Sequence, residues 1–441
     1  MNLPPHRLAA CFAILTVATA ARAEEKSPLT KPDDWSLHFQ ATTVSQLHDR
    51  FASPYAGQNS FRPDESLHNS VTATLFLGAR LWSGAEFYVN PETAGGRGFS
   101  GTLGAAGFPN GEITRVGKEE MTGYFARYFL RQTFPLGTGA TETIAAGPNQ
   151  LPGKRDPSNL TVTLGKFSAA DLFDQNAYSH DPRTRFLNWS LMGNGAWDYP
   201  ADTRGYTYGV ALEWNQPTWS ARLGSFAEPT TANGAHFDHH LARALGNVAE
   251  IERSYSLGNH PGKIRALGFV NLAHMGDYRV TLNTPAYGMD LAQSRANRIK
   301  YGVGLNVEQE LTRDLGAFAR VGWNDGATET WAFTEIDRTA ALGLSLKGTS
   351  WGRAGDHVGL AGVVNGLSNS HRDYLAAGGY GFIIGDGRLR YGEEMILETY
   401  YSLRVVSWAF VTLDYQWINH PAYNRDRGPA SIGSLRLHVE F

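Results

Sequence analysis

The last eight residues alternate. In Ser434-Leu-Arg-Leu-His-Val-Glu-Phe441, the side chains of Leu435, Leu437, Val439 and Phe441 share one side of an extended chain, and those of Ser434, Arg436, His438 and Glu440 share the other. Successive side chains of a strand point to opposite faces, so this segment reads as a strand with one apolar and one wet face. The pattern returns along the chain. Leu413, Tyr415 and Trp417 alternate with Thr412, Asp414 and Gln416. Tyr206, Tyr208, Val210, Leu212 and Trp214 alternate with Thr207, Gly209, Ala211, Glu213 and Asn215. The same holds for Tyr301 to Val307 and for Val71 to Leu77. A soluble sheet can show one such strand. Here the pattern recurs too often, with too polar a second face, for a packed sandwich. Tyr and Trp cluster near strand ends, as an interfacial girdle requires.

Export narrows the choice. His6 and Arg7 open the chain, Leu8 to Ala20 is mostly apolar, and Ala21-Arg22-Ala23 is a small-x-small cleavage site. Residues 1–23 therefore read as a signal peptide and 24–441 as one mature domain beginning at Glu24. Leu8-Ala9-Ala10-Cys11 is not a lipoprotein box, because the apolar run follows the cysteine. Cys11 is the only cysteine, so the mature chain has neither disulfides nor thiolate metal sites. A formal charge of −3 argues against a nucleic-acid partner. No stretch after the leader is long and apolar enough for a spanning helix. In hydrocarbon every backbone polar group must be paired internally, so a β protein can span only as a closed barrel.

The alternation predicts sixteen strands, at 35–48, 69–80, 82–90, 121–134, 159–167, 204–215, 217–227, 248–257, 262–274, 298–311, 315–324, 331–346, 356–365, 394–405, 408–419 and 431–441. The expected fold is all-β, a 16-stranded antiparallel transmembrane barrel with in-folded loops, closed by pairing of the last strand with the first. Short links should be periplasmic turns. The long segments 91–120, 135–158, 168–203, 228–247 and 366–393 should be extracellular or folded into the lumen.

A terminal Phe441 after an alternating strand resembles the recognition signal of bacterial outer-membrane proteins, which implies the barrel-assembly machinery and outer-membrane lipids as partners. Three longer blocks are more specific. They are Asp181 to Trp189 continuing through Asn194 to Gly209, then Gly322 to Asp337, and then Asn365 to Tyr374 with Gly385-Asp-Gly387 and Asn419 to Gly428. Together, and in this order, they resemble the carbohydrate-selective porins of Gram-negative outer membranes. The resemblance implies a monomeric 16-stranded barrel, without cofactor, for passive entry of glucose and similar small sugars. The rival readings are a general or anion-selective porin and an outer-membrane barrel enzyme. No Gly-x-Ser-x-Gly motif supports an enzyme.

Charged residues on the wet strand faces should line the lumen, since a cation on the lipid face costs about 2–4 kcal/mol at the midplane. Arg80, Glu86, Arg127, Arg131, Arg320, Glu335 and Asp337 fall in this class, as do Glu213, Arg222, Glu398 and Asp414. Each either contacts solute or merely wets the channel. Both signs occur, which suits neutral polyols better than an ion of one sign. Arg127 and Arg131 lie four apart, with Phe125 and Phe129 expected on the same face. They form either a solute track or pairs with lumen glutamates. Segment 168–203 is long and carries apolar residues that an external loop would expose, so it is expected to fold inward and narrow the pore. Trp189 and Trp197 would then face the C–H side of a sugar, with Asp198, Asp202 and Arg204 at its hydroxyls. The alternative is that the segment braces the wall. His236, Asp238, His239 and His240 read as a polar loop rather than a metal site.

Overall fold

The computed structural model describes residues 34–113, 119–137 and 139–441. The leader expected at 1–23 lies outside them. Sixteen strands close into one antiparallel barrel. In chain order they are β1 (Trp35–His48), β2 (His68–Trp82), β3 (Ala85–Gly96), β4 (Thr122–Pro135), β5 (Asn159–Phe167), β6 (Thr207–Gln216), β7 (Trp219–Ala227) and β8 (Leu245–Leu257). The second half comprises β9 (His260–Met275), β10 (Ala296–Glu310), β11 (Leu315–Asn324), β12 (Arg338–Gly348), β13 (Arg353–Gly366), β14 (Glu394–Val406), β15 (Ala409–Asn419) and β16 (Ala430–Glu440). Each strand pairs with its chain neighbours, and β1 meets β16 in the register Gln40↔Glu440 to His48↔Ile432. Two backbone bonds continue the seam, Phe39 N–H to Phe441 O at 2.9 Å and Phe441 N–H to Phe39 O at 3.0 Å. No edge is left open.

Closure sorts the side chains. Leu223, Ile251, Val303, Leu342 and Leu413 are exposed on the outer wall. Their inward neighbours Arg222, Glu250, Glu252 and Arg265 make a ladder of ion pairs at 2.7–3.3 Å across β7, β8 and β9. Trp82, Trp214 and Trp351 ring the short-turn end, and Tyr208, Tyr301 and Trp323 the other. The short turns identify their end as the periplasmic side.

The structure corrects two expectations and refines a third. Strand 331–346 begins only at Arg338. Trp331 and Phe333 alternate like strand residues, but the backbone N–H groups of Trp331, Ala332 and Phe333 all turn onto the Asp198 carboxylate, at 2.8, 2.7 and 3.1 Å. A chain whose amides converge on one anion cannot also build a ladder. Second, Phe125 does not share a face with Phe129. A register shift opposite Asn90 and Pro91 inserts a bulge in β4. Proline has no N–H to offer the ladder, and the bulge turns Phe125 outward to 56% exposure while Phe129 stays inside. Segment 135–158 does enter the lumen, one of its two expected placements, but it leaves β4 at the periplasmic end, where the other links are short. It carries a hairpin of Glu142–Ile144 with Gly153–Arg155, and its tip rises into the lumen.

Candidate functional site

Carboxylates of the wall and of one in-folded segment hold the loops inside the barrel by their amides. Glu394 on β14 accepts the N–H groups of Ala106, Gly107 and Ala422 at 2.7–3.0 Å. Glu398 accepts those of Leu187 and Asn188. Glu335 accepts Ile383 and Ile384. Such charge-assisted bonds are short and strong, and they satisfy amides that would otherwise be buried unpaired. Arg320 does the converse. It donates to the Asp174 carboxylate, the Ser179 hydroxyl and the Leu191 carbonyl, each at 3.0 Å. Asp337 accepts the Ser368 N–H at 2.8 Å and faces His371 Nδ1 at 3.1 Å.

Four of the expected pore-lining residues are thus corrected to bracing positions. Asp198, Arg320, Glu335 and Asp337 are all buried against loop backbone or paired side chains. The reason is common to them. A buried charge must be paired and hydrogen-bonded, and the in-folded loops supply those partners before solute can.

Arg80, Glu86 and Arg131 hold the periplasmic hairpin. Arg80 donates to the Pro152 carbonyl at 3.0 Å and Arg131 to the Asn149 carbonyl at 2.9 Å. Glu86 accepts the Tyr88 hydroxyl proton at 2.7 Å, and the Tyr88 oxygen accepts the Leu151 N–H at 3.1 Å. Leu151 completes an aromatic cluster with Tyr88 and Phe129. For Arg131 the bonded partner is therefore a loop carbonyl, with the guanidinium 5.2 Å over the Tyr88 ring.

The passage runs between the remaining loops. It has an upper chamber of about 130 Å³, bounded by Gly95, Thr122 and Tyr124, and a lower chamber of about 630 Å³, bounded by Ala146, Pro148, His438 and Phe441. The two share Glu112, Arg183, Met192, Tyr199, Arg204, Gly205, Tyr206 and Phe333, which form the waist. Arg183 donates from Nε to both Glu112 oxygens at 3.1 Å and from Nη2 to Glu92 at 3.3 Å. Glu92 also receives the Tyr206 hydroxyl proton at 3.0 Å. Just below, Arg127 makes a two-pronged pair with Asp171, both bonds 2.6 Å long. Burial alone would raise the Asp171 carboxyl, but the Arg127 guanidinium beside it outweighs that and holds it below the usual carboxylate range. Asp202 lies 3.9 Å from Lys166. Its carboxylate also accepts the N–H groups of Arg204 and Tyr206, at 2.9 and 3.1 Å, so it shapes the turn that presents both.

Arg204 stands apart among the waist cations. It stacks 3.8 Å over the Tyr124 ring and has no carboxylate partner among the described residues. Aromatic faces frame the opening. Tyr199 lies 4.6 Å from Phe333, and Trp189 stacks on Phe333 at 6.0 Å with 27° between planes. Of the residues singled out from sequence, Arg127, Trp189, Trp197, Asp202 and Arg204 border the passage. Trp189 and Trp197 are nearly buried, so they back the wall more than they face solute.

Sequence reasoning missed Glu92, Glu112, Arg183, Tyr199, Tyr206 and Phe333 as waist residues. Arg183, Tyr199, Tyr206 and Phe333 were at hand inside the blocks 181–209 and 322–337. Glu112 lies in a loop with no alternation to mark it. Among the described residues the histidines of 236–240 build no group of three metal-ligating side chains.

The family model for the carbohydrate-selective porin, OprB family, matches residues 58–441. The chain belongs to that family. No curated protein matches this porin's sequence. Its barrel superposes on the high-pH structure of Pseudomonas putida OprB with a TM-score of 0.69 at 18% identity, covering 93% of this chain and 94% of that one. The outer-membrane channel DcaP of Acinetobacter baumannii superposes with a TM-score of 0.52 at 8% identity, over 92% and 97% of the two chains. At these identities the likeness is one of fold. Family and barrel together place this porin in the outer membrane as a carbohydrate channel.

Proposed function

We propose that the waist between Glu112, Arg183, Arg204, Tyr199, Tyr206 and Phe333 is where this porin selects its solute, and that the solute is a neutral sugar of about the size of glucose. The balance of charge carries the reading. Arg183 pairs with Glu92 and Glu112, Arg127 with Asp171 and Lys166 with Asp202, and Arg204 beside them brings cations and carboxylates to equal number. A pore selective for anions or cations would favour one sign. Paired charges leave donors and acceptors at the rim without a strong net field, which suits hydroxyls that both donate and accept. The rings of Tyr199, Tyr206 and Phe333 supply apolar surface for the C–H faces of a pyranose.

Binding must be weak enough to release. In planar bilayers glucose should partly block the ion current at roughly millimolar concentration, a free energy near −4 kcal/mol. Strong block by phosphate or citrate with none by glucose would replace this reading with an anion channel. The functional unit on this proposal is the single barrel, delivered by the barrel-assembly machinery after removal of residues 1–23. An intact mass starting at Glu24 for the outer-membrane form is the expected result, and a mass retaining the leader would refute it.

A further inference from the structure

On the outer wall, β6 to β10 enclose a groove of about 740 Å³. Ala249 on β8 and Gly268 on β9 make its floor, and Leu212, Leu223 and Val270 its walls. Its upper margin is polar. Asn247 and Ser225 face each other across β8 and β7 and line the groove. Their outward side chains have no hydrogen-bond partner among the described residues. Polar groups on a lipid-facing wall need partners, because hydrocarbon offers none.

Segment 228–244 lies directly above. Phe237 packs edge-on against Tyr208 at 5.4 Å, and Tyr208 is an outward girdle residue of β6. This contact holds part of the segment at the outer surface of the barrel and away from the pore. His236, His239, His240 and Arg243 are exposed there, and Leu241 is 53% exposed beside them. Asp238 is the acid beside them, the segment's other acid, Glu228, being buried. It bonds His240 Nδ1 at 2.8 Å and lies 3.8 Å from Arg243 Nε. Arg243 precedes Asn247 by four residues, on the order of 13 Å of extended chain.

We infer that groove and segment form one binding site for a phosphorylated, acylated glycolipid of the outer leaflet. An acyl chain fills the groove, its ester or amide meets Asn247 and Ser225, and its phosphate sits against Arg243 and the adjacent histidines. Lipid tails are as apolar as the leucine walls, so the groove fills by packing, since an empty hollow forfeits dispersion contacts. Arg243 is a cation at headgroup level, which draws anionic lipid, and the imidazoles beside it can donate N–H to phosphate oxygens.

Native mass spectrometry of the detergent-solubilised full-length barrel, titrated with lipid A and with its dephosphorylated form, tests this. Wild type should bind one lipid A. The combined variant Arg243→Ala, His239→Ala, His240→Ala should bind it about 10-fold more weakly, by the charge removed near the headgroup. The groove-filling pair Ala249→Leu, Gly268→Leu should lose both lipids. The dephosphorylated lipid should bind wild type and the charge variant alike. Unchanged single-channel conductance confirms that each variant has folded. Equal lipid A binding by all three proteins overturns the site, as does a barrel dimer that the groove-filling pair dissociates.

Discussion

Arg183→Ala should abolish sugar block and leave a wider channel that prefers cations. The guanidinium spans the waist between Glu112 and Glu92, both nearly buried. Removing it deletes a donor set that a sugar would share. Charge-assisted hydrogen bonds contribute about 1.5–3 kcal/mol, so block should weaken on the order of 10- to 100-fold. The two carboxylates left behind give the waist a negative field, and stranding buried charges costs about 3–5 kcal/mol. Reversal potentials in a salt gradient read the selectivity, and a glucose titration on the same channels reads the block. Wild-type block in a correctly folded Arg183→Ala channel would remove Arg183 from the recognition site. Arg204→Ala is the companion variant. It strands no bonded carboxylate, so it should weaken block with a smaller shift toward cations than Arg183→Ala.

Asp198→Ala should act on stability first. Its carboxylate collects three amides from 331–333 and lies 3.7 Å from the buried Lys300 ammonium. Each unpaired buried amide costs about 1–3 kcal/mol, so the loss should reach several kcal/mol in total. Phe333 hangs from this anchored segment and borders the waist. The open-channel current should therefore become noisier, with larger conductance. Asp198→Asn keeps an acceptor and should fall between the two. A variant with wild-type thermal midpoint and a quiet current would show that the anchor is dispensable.

Alternation exposed nearly all of the barrel, because one face meets lipid and the other meets water or polar packing at almost every strand position. The boundaries 159–167 and 315–324 agree with β5 and β11. Alternation failed where another force ordered the backbone. At 331–333 an anion gathered the amides, and at Phe125 a bulge opposite Pro91 reversed the face. The waist was less legible. Glu112 and Arg183 come from loops 71 residues apart that meet only inside the closed barrel. No local period joins them. Asp198 could be placed in the lumen from sequence. Its commitment to backbone amides could not, since amides carry no sequence signature.

The carboxylates that grip the loop amides, Glu394 and Glu398 on the wall and Glu335 and Asp198 on in-folded segments, also bear on how such a channel can diverge. Glu394, Glu398, Glu335 and Asp198 grip N–H groups that every residue except proline carries. At Ala106, Leu187, Ile383 and Ala332 the anchoring bond therefore sets no demand on the side chain, and packing alone limits what these buried positions accept. Scaffold and lining are separable in their tolerance to mutation, so a lineage could exchange waist residues one at a time and keep a working pore at each step.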